Sequence, residues 1–468
     1  MSPFLRRRAD FFGFRRRVCA AVRKSLLKAP TLALALLLAC SPPRDPGVAL
    51  EHARRALEQG NIDAASKEAR NGYERFHDVS DEWNWKFTIL RARALHWQAR
   101  EDQMLSLISS LPSAAPSGDL AVQRLRLEGA AYGSLHKVDQ AQQKLREADT
   151  LCAQRPYPAC ADVLSEWGVL AMRAGHYTEA ETFFGQALAR ARVDGNQFLV
   201  AHSLLTLSWA ADEQTRFDEA LDWANAAREI AVNEGFTDTA QTAWGNMGWA
   251  YYKLGDSEKA ETMFMEASNE ARRLGDMTSE AGWLTNAGYA HMDMGNLSLA
   301  EASFQQSLDL ARKIKSPADI MDSLTALSVV SEQTGKLEDS KRDADEALTM
   351  ARADGNGRDV VYPQLVEGRI AAHRNDTATA EVDFREVVKS AETPVFLKWD
   401  AERSLARLYE DENHSDSADG EYRTALTTFE AARCDLHERV DSRLPFLTNA
   451  AHIYEDYIHF LVARGKTN

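Results

Sequence analysis

The sequence predicts an all-α fold made of stacked pairs of antiparallel helices, and three observations indicate it. Small residues recur at intervals of 40 along most of the chain. No proline occurs between residues 159 and 316, and proline breaks helix interiors. The hydrophobic content of 44% is too high for a disordered chain. The 468 residues are therefore expected to form one repeat array rather than three ordinary domains of ~150 residues.

The first 39 residues differ in charge from the rest of the chain. They carry nine basic residues and one acid, a net charge of +8, whereas residues 40–468 carry −23. An apolar run, Thr31–Ala39, follows the basic stretch and ends at Cys40. A basic segment followed by about 7 to 15 apolar residues is typical of a secretory signal peptide and is too short to span a membrane.

The residues Leu37-Leu38-Ala39-Cys40 resemble a bacterial lipobox. The resemblance implies cleavage before Cys40, lipidation of that cysteine and anchoring in the cell envelope. Ser41 in the next position implies sorting to the outer membrane. The alternative is an ordinary cleaved signal peptide followed by an incidental cysteine. Residues 40–48, which contain three prolines and a glycine, are expected to form an extended tether.

Residues 49–435 are predicted to form about ten helix pairs. One ladder of small residues marks the second helices: Ala141, Ala180, Ala220, Ala260, Ala300, Ser340, Ala380 and Ala418. A second ladder lies twelve residues upstream: Gly168, Ser208, Gly248, Gly288, Ser328 and Gly368. Small side chains at both positions let two antiparallel helices approach closely. Phenylalanines at positions 184, 264, 304 and 384 are expected to wedge against the neighbouring pair.

Glycines mark the expected turns, because glycine readily adopts the left-handed conformation that ends a helix. The turns within repeats contain Gly175, Gly255, Gly295 and Gly335, with Thr215 in the same slot. The turns between repeats contain Gly195, Gly235, Gly275 and Gly355, and Ser316-Pro317 replaces the glycine near position 315. Ser257 and Ser298 are expected to be N-caps of second helices.

The stretch Trp244–Ala267 resembles a tetratricopeptide repeat. Its signature slots are filled in order by Trp244, Met247, Gly248, Tyr251, Ala260, Phe264 and Ala267. The resemblance implies a tetratricopeptide-repeat solenoid, a right-handed superhelix of antiparallel helix pairs with a period of about 40 residues. It also implies a non-enzymatic protein–protein interaction scaffold, although the motif is far more specific for fold than for function.

Motifs for catalysis, phosphate binding or metal binding are not found in the sequence: it has no HExxH, P-loop, GxSxG or CxxC pattern. His452 and His459 lie seven residues apart on one face of the last helical stretch, but no third ligand accompanies them. The net charge of −15 does not favour binding to nucleic acid, which is itself negatively charged. We therefore expect no enzymatic activity, cofactor, metal, nucleic acid or small-molecule substrate.

Cys152 and Cys160 bracket the loop 153–159, which contains two prolines. Two helix ends that face each other across such a turn can place their Cα atoms within the roughly 4.4–6.8 Å that a disulfide needs. An exported protein can form such a bond. The alternative is two separately buried thiols, and the sequence leaves both open.

In tetratricopeptide proteins the first helix of each repeat lines a concave groove. The residue that directly follows each position of the second ladder faces this groove. The resemblance therefore implies groove positions for Trp209, Trp249 and Tyr289, with Tyr252 on the same face. The alternative for these rings is core packing between adjacent first helices.

Asn246 and Asn286 lie two residues before their ladder glycines. In peptide-binding relatives an asparagine in this slot hydrogen-bonds the backbone of an extended partner, because an amide both donates and accepts. The expected partner is an extended peptide or protein segment. The nearby acidic residues Asp212, Glu213 and Asp293, against one base, Lys253, would suit a basic or neutral segment.

Residues 436–468 are predicted to contain an apolar helix between Pro445 and Gly465. The segment resembles the junction at which bacterial tetratricopeptide repeats run into a caspase-like CHAT protease domain. This resemblance implies a docking segment, and as an alternative function the regulatory or recognition arm of a CHAT-like protease supplied in trans. No catalytic residue is carried over. The remaining alternative is a truncated relative with a frayed end.

Overall fold

The computed structural model describes residues 45–111, 116–354, 357–435 and 443–465, and within these ranges the chain forms 21 α-helices and no strand. The predicted all-α class is therefore confirmed. The basic leader, Cys40 and Gly355 lie outside the described residues. The helices fall into two compact units. The first unit contains α1 (Pro46–Glu58), α2 (Ile62–Phe76), α3 (Asp81–Trp97) and α4 (Glu101–Ser109).

The second unit contains the other 17 helices. They are α5 (Asp119–Ser134), α6 (Val138–Gln154), α7 (Cys160–Arg173), α8 (Tyr177–Val193), α9 (Gln197–Glu213), α10 (Phe217–Glu234), α11 (Thr237–Lys253), α12 (Ser257–Leu274), α13 (Met277–Asp293), α14 (Leu297–Ile314), α15 (Pro317–Gln333), α16 (Leu337–Asp354), α17 (Gly357–His373), α18 (Thr377–Lys389), α19 (Val395–Asp411), α20 (Ser415–Asp435) and α21 (Arg443–Ala463). From α5 to α20 each odd-numbered helix packs against the even-numbered helix that follows it, and each pair packs on the next. This arrangement is the predicted solenoid of helix pairs.

The ladder glycines make room for the phenylalanines of their own repeats. A Cβ atom added at Gly248 would lie 2.6 Å from the Phe264 ring. The same close approach recurs between Gly168 and Phe184, Gly288 and Phe304, and Gly368 and Phe384. Where the ladder carries Ser208 instead, the position of the phenylalanine is taken by Ala224. A larger side chain on one helix of a repeat is thus matched by a smaller one on the other, which keeps the total volume nearly constant, as close packing requires.

The expected glycine turns are confirmed. Gly175, Gly195, Gly235, Gly255, Gly275, Gly295 and Gly335 all have φ between 66° and 81°. Thr215 has φ of 61° in its glycine slot, and Lys315 takes the left-handed position before Ser316-Pro317.

The predictions that Ser257 and Ser298 are N-caps were wrong. Asp256 caps α12 by accepting the Lys259 backbone N–H at 3.1 Å, so Ser257 is already helical. Ser298 lies inside α14, whose N-cap is Asn296.

The end of the predicted tether is also corrected, because α1 begins at Pro46 and residues 46–48 are helical. The Asp45 carboxylate accepts the backbone N–H of Gly47 at 2.7 Å and that of Val48 at 3.1 Å. A capping carboxylate followed by proline favours helix initiation, which outweighs the extended preference of the prolines.

The last helix, α21, packs one face onto the preceding pair and exposes another. Ile453 contacts the cluster around Trp399 and Phe429, and Phe460 contacts the cluster around Tyr409 and Tyr422. Ile458 and Val462 are each 58% exposed. The apolar side chains of α21 are therefore only partly exposed. None of the helices in the described part of the chain combines the length and apolarity needed to cross a membrane.

Candidate functional site

The first helices of consecutive pairs form one face of the second unit, which we call the first-helix face. It contains a cavity of about 670 Å³ between α9, α11 and α13. Its lining residues are Ser208, Trp209, Asp212, Glu213, Thr215, Phe217, Asn246, Trp249, Lys253 and Trp283. Three of the six residues predicted for the groove, Trp209, Asn246 and Trp249, therefore lie together on one cavity.

Asn246 has a polar side chain that is held only weakly. Its amide donates to the Ser208 hydroxyl at 3.5 Å, the outer limit for a hydrogen bond. The Ser208 hydroxyl itself donates to the Ala220 carbonyl at 2.8 Å, which fixes its position. The amide of Asn246 is thus positioned by its helix and retains capacity to bind another group.

Trp249 belongs both to the core and to the cavity wall. Its ring packs edge-on against Phe264 and against Tyr252, with centroid distances of 5.8 Å in both cases. Such contacts hold the indole in one orientation while another part of it lines the cavity. Trp209 is 38% exposed, and its indole N–H donates to the Glu213 carboxylate at 3.2 Å.

Trp283 is a wall residue that the sequence did not indicate. A Cβ atom added at Gly245 would lie 2.2 Å from its ring, so the absence of a side chain there lets α13 place the indole over α11. The ring stacks on Phe264 at a centroid distance of 6.4 Å. Its N–H is buried and has no hydrogen-bond partner among the described residues. The available signal was a glycine inside a helix, three residues before the ladder glycine.

The charged residues of the cavity are Asp212, Glu213 and Lys253. Burial raises the pKa of Asp212 to about 6, with Lys253 opposing the shift and Glu213 adding to it. Oδ1 of Asp212 is buried and accepts no hydrogen bond from the described part of the chain. The Lys253 ammonium lies 5.4 Å from the centroid of the Trp249 ring, a cation–π geometry.

The other three predicted groove residues lie outside the cavity lining. Tyr252 donates its hydroxyl to Asp293, and burial followed by the Asp293 charge raises the tyrosine pKa. Tyr289 packs edge-on against Phe304 at 5.2 Å, so its ring contributes to the core. Asn286 is half-buried.

Cys152 and Cys160 are bonded, with Cα atoms 5.8 Å apart, and the bridge closes the turn between α6 and α7. No group of three or more His, Cys, Asp or Glu residues that could hold a metal ion occurs within the described ranges. His452 is exposed and lies 3.3 Å from Glu455, and His459 is also exposed.

Comparison with known proteins identifies the repeats. Two tetratricopeptide-repeat family models match the chain, one over residues 159–233 and the other over residues 241–272 and 284–314. No curated protein matches the chain significantly in sequence.

Solved structures share the fold at low sequence identity. The quorum sensor NprR from B. thuringiensis, in its apo form, aligns with 14% identity and a TM-score of 0.57 over 76% of this chain and 99% of that chain. A Rap protein complexed with Competence and Sporulation Factor aligns with 14% identity and a TM-score of 0.53 over 74% and 96%. A STAND protein with a tetratricopeptide repeat sensor from Pyrococcus horikoshii aligns with 14% identity and a TM-score of 0.53 over 78% and 56%. The chain therefore contains tetratricopeptide repeats and folds as a tetratricopeptide-repeat solenoid.

Proposed function

We propose that this protein is a non-enzymatic interaction scaffold that binds an extended peptide or protein segment on the first-helix face of α9–α13. The cavity lined by Trp209, Asn246 and Trp249 carries the proposal. Asn246 would hold a peptide unit through its amide, and the indoles would supply apolar contact area. The Rap protein of similar fold was solved in complex with Competence and Sporulation Factor, which supports a binding role for a solenoid of this fold.

The test begins with peptides selected from a random display library against the purified protein. Binding of the selected peptides is then measured by isothermal titration calorimetry. We expect Asn246→Ala to weaken binding about tenfold, since it removes hydrogen bonds to the peptide backbone. Asn269→Ala on α12 is the matched control, because Asn269 lies outside the cavity lining. Equal affinity of wild type, Asn246→Ala and Asn269→Ala would show that this face is not the binding site.

We also propose that the scaffold is exported and held in the bacterial cell envelope, at the outer membrane, by lipid on Cys40. The +8 leader and the lipobox-like residues before Cys40 support this. Radiolabelled palmitate should enter the native protein but not the Cys40→Ala variant. Equal labelling of both proteins would exclude the anchor.

A second candidate function is that of the recognition arm of a CHAT-like protease supplied in trans. The exposed Ile458 and Val462 of α21 favour it, because such side chains could join an interface. A CHAT-domain protein encoded beside this gene should then co-purify with it. The double variant Ile458→Glu with Val462→Glu should abolish co-purification. Val232→Glu on α10, at a residue that is 53% exposed, is the control and should not affect it.

A further inference from the structure

The cavity contains a positive charge of its own, at the place where a positive charge of a partner would be most favoured. We propose that the cavity binds the cationic side chain of an Arg or Lys residue in the bound segment, and that Lys253 occupies this position in the free protein. The inference rests on the proposed function and names the residue class that the site recognises.

The first argument is the geometry of the Trp249 ring. The Lys253 ammonium lies 5.4 Å from the ring centroid, a distance at which a cation is attracted to an indole. Phe264 and Tyr252 hold the ring edge-on from two sides, so it presents a fixed surface to whichever cation is present. Trp209 adds a second indole to the same cavity.

The second argument is charge. Asp212 and Glu213 line the cavity together with Lys253, so displacing Lys253 into solvent would leave two carboxylates facing the ligand. Oδ1 of Asp212 is a buried acceptor without a hydrogen-bond partner among the described residues. A guanidinium or ammonium group would supply the missing donor, and a charge-assisted hydrogen bond of this kind is stronger than a neutral one.

A nearby lysine, Lys259, provides a matched control for Lys253. The Lys259 ammonium lies 5.1 Å from the centroid of the Tyr251 ring but is also paired with Asp256 at 2.7 Å. Lys259 is outside the cavity lining. It therefore offers a lysine–aromatic pair of similar geometry whose removal should not affect the cavity.

A lysine that must leave before the ligand enters acts as an internal competitor. Its removal should strengthen binding of a cationic ligand and leave the binding of a neutral ligand much less changed. Lys253 would thereby set how tightly basic segments bind, without contacting them in the complex.

The experiment uses four capped heptapeptides as probes: Ac-SASRSAS-NH2 and its counterparts with lysine, norleucine or glutamate at the central position. Their affinities for wild type, Lys253→Met, Asp212→Asn and the control Lys259→Met are measured by isothermal titration calorimetry. We expect the two basic peptides to bind wild type most tightly. Lys253→Met should raise their affinity about fivefold to tenfold, Asp212→Asn should lower it by a similar factor, and Lys259→Met should leave it unchanged.

Unchanged or weaker binding of the basic peptides to Lys253→Met would overturn the inference. Equal binding of all four peptides, with loss of binding in Asn246→Ala, would also overturn it while leaving the proposed function intact. If none of the four peptides binds and the library yields no ligand either, the proposed function fails as well.

Discussion

At Gly248 the absence of one Cβ atom decides how the two helices of a repeat pack. The Phe264 ring occupies the space that a side chain at position 248 would need. Phe264 is almost fully buried and also contacts Trp249 and Trp283, which line the cavity. The same glycine therefore serves the stability of the repeat and, through Phe264, the position of the indoles.

We expect Gly248→Ala to lower the free energy of unfolding by about 1–2 kcal/mol, because overpacking outweighs the gain in helix propensity. Phe264→Ala alone should cost about 3–5 kcal/mol. The double variant Gly248→Ser with Phe264→Ala, which copies Ser208 and Ala224, should be less destabilised than the sum of the single variants Gly248→Ser and Phe264→Ala. Urea denaturation measures all four variants.

Gly282→Ala is the matched control, because Gly282 lies inside α13 with no heavy atom near its added Cβ. This variant should be stabilised by about 0.5–1 kcal/mol. Strict additivity in the double variant would contradict the matching of side-chain volumes between the two helices.

The buried carboxyl of Asp212 should make stability depend on pH. Its folded-state pKa is raised from 3.8 to about 6 by burial. Below pH 3.8 the carboxyl is protonated in both states and costs nothing. Between pH 3.8 and about 6 only the unfolded state ionises, so the folded state becomes relatively less stable, and above about pH 6 the cost stays constant. At pH 7.5 the cost is about 2–3 kcal/mol.

Asp212→Asn should therefore raise the free energy of unfolding by about 2–3 kcal/mol at pH 7.5, and this gain should vanish near pH 4. Chemical denaturation across this pH range measures it. The exposed Asp222→Asn on α10 is the control and should leave the free energy of unfolding nearly unchanged. A gain that is constant with pH would mean that the charge of Asp212 is not what destabilises the fold.

At the scale of a single element, α21 completes the end of the second unit. Its Asp456 carboxylate accepts a hydrogen bond from the Arg403 guanidinium at 2.7 Å. Arg403 also pairs with Asp400, and Asp400 pairs in turn with Arg369. This chain of ion pairs joins α17, α19 and α21 on their polar side. Phe460 joins α21 to α19 and α20 on the apolar side, so the helix is held from two directions.

Phe460→Ala should loosen α21 and the helices that it contacts without affecting α7–α9. Phe460 is 2% exposed, and its ring lies 5.4 Å from that of Tyr422. We expect a local loss of about 3–4 kcal/mol, measured as faster hydrogen exchange in α19–α21. Exchange in α7–α9 should be unchanged, because each repeat contacts mainly its neighbours.

The exposed Ile458→Ala serves as the control and should change exchange little. Faster exchange throughout α5–α21 in Phe460→Ala would show that the second unit unfolds as one cooperative block.

At the scale of the whole molecule, the array explains how one site can draw on three repeats. The cavity combines residues of α9, α11 and α13, which are first helices of consecutive pairs. A period of 40 residues places them side by side, since each pair packs on the next. A substitution in one repeat can thus alter the site without disturbing the framework that the other two provide.

The sequence by itself determined the all-α class, the 40-residue period and the glycine turns. These depend on interactions within a helix or between the two helices of one repeat, such as Gly248 with Phe264, which a fixed spacing reveals. It also placed Trp209, Asn246 and Trp249 on one face.

Only the tertiary structure decided which face residues form a cavity and which belong to the core. Trp283 lines the cavity because Gly245 lets it lie over another helix, and Tyr289 packs on Phe304 instead of facing the cavity. The start of α1, in contrast, depends on a local signal that the sequence contains, the Asp45 carboxylate immediately before Pro46. Side-chain packing between helices distant in sequence has no periodic signature, so the ladders predicted the framework and the packing of side chains between neighbouring repeats determined the site.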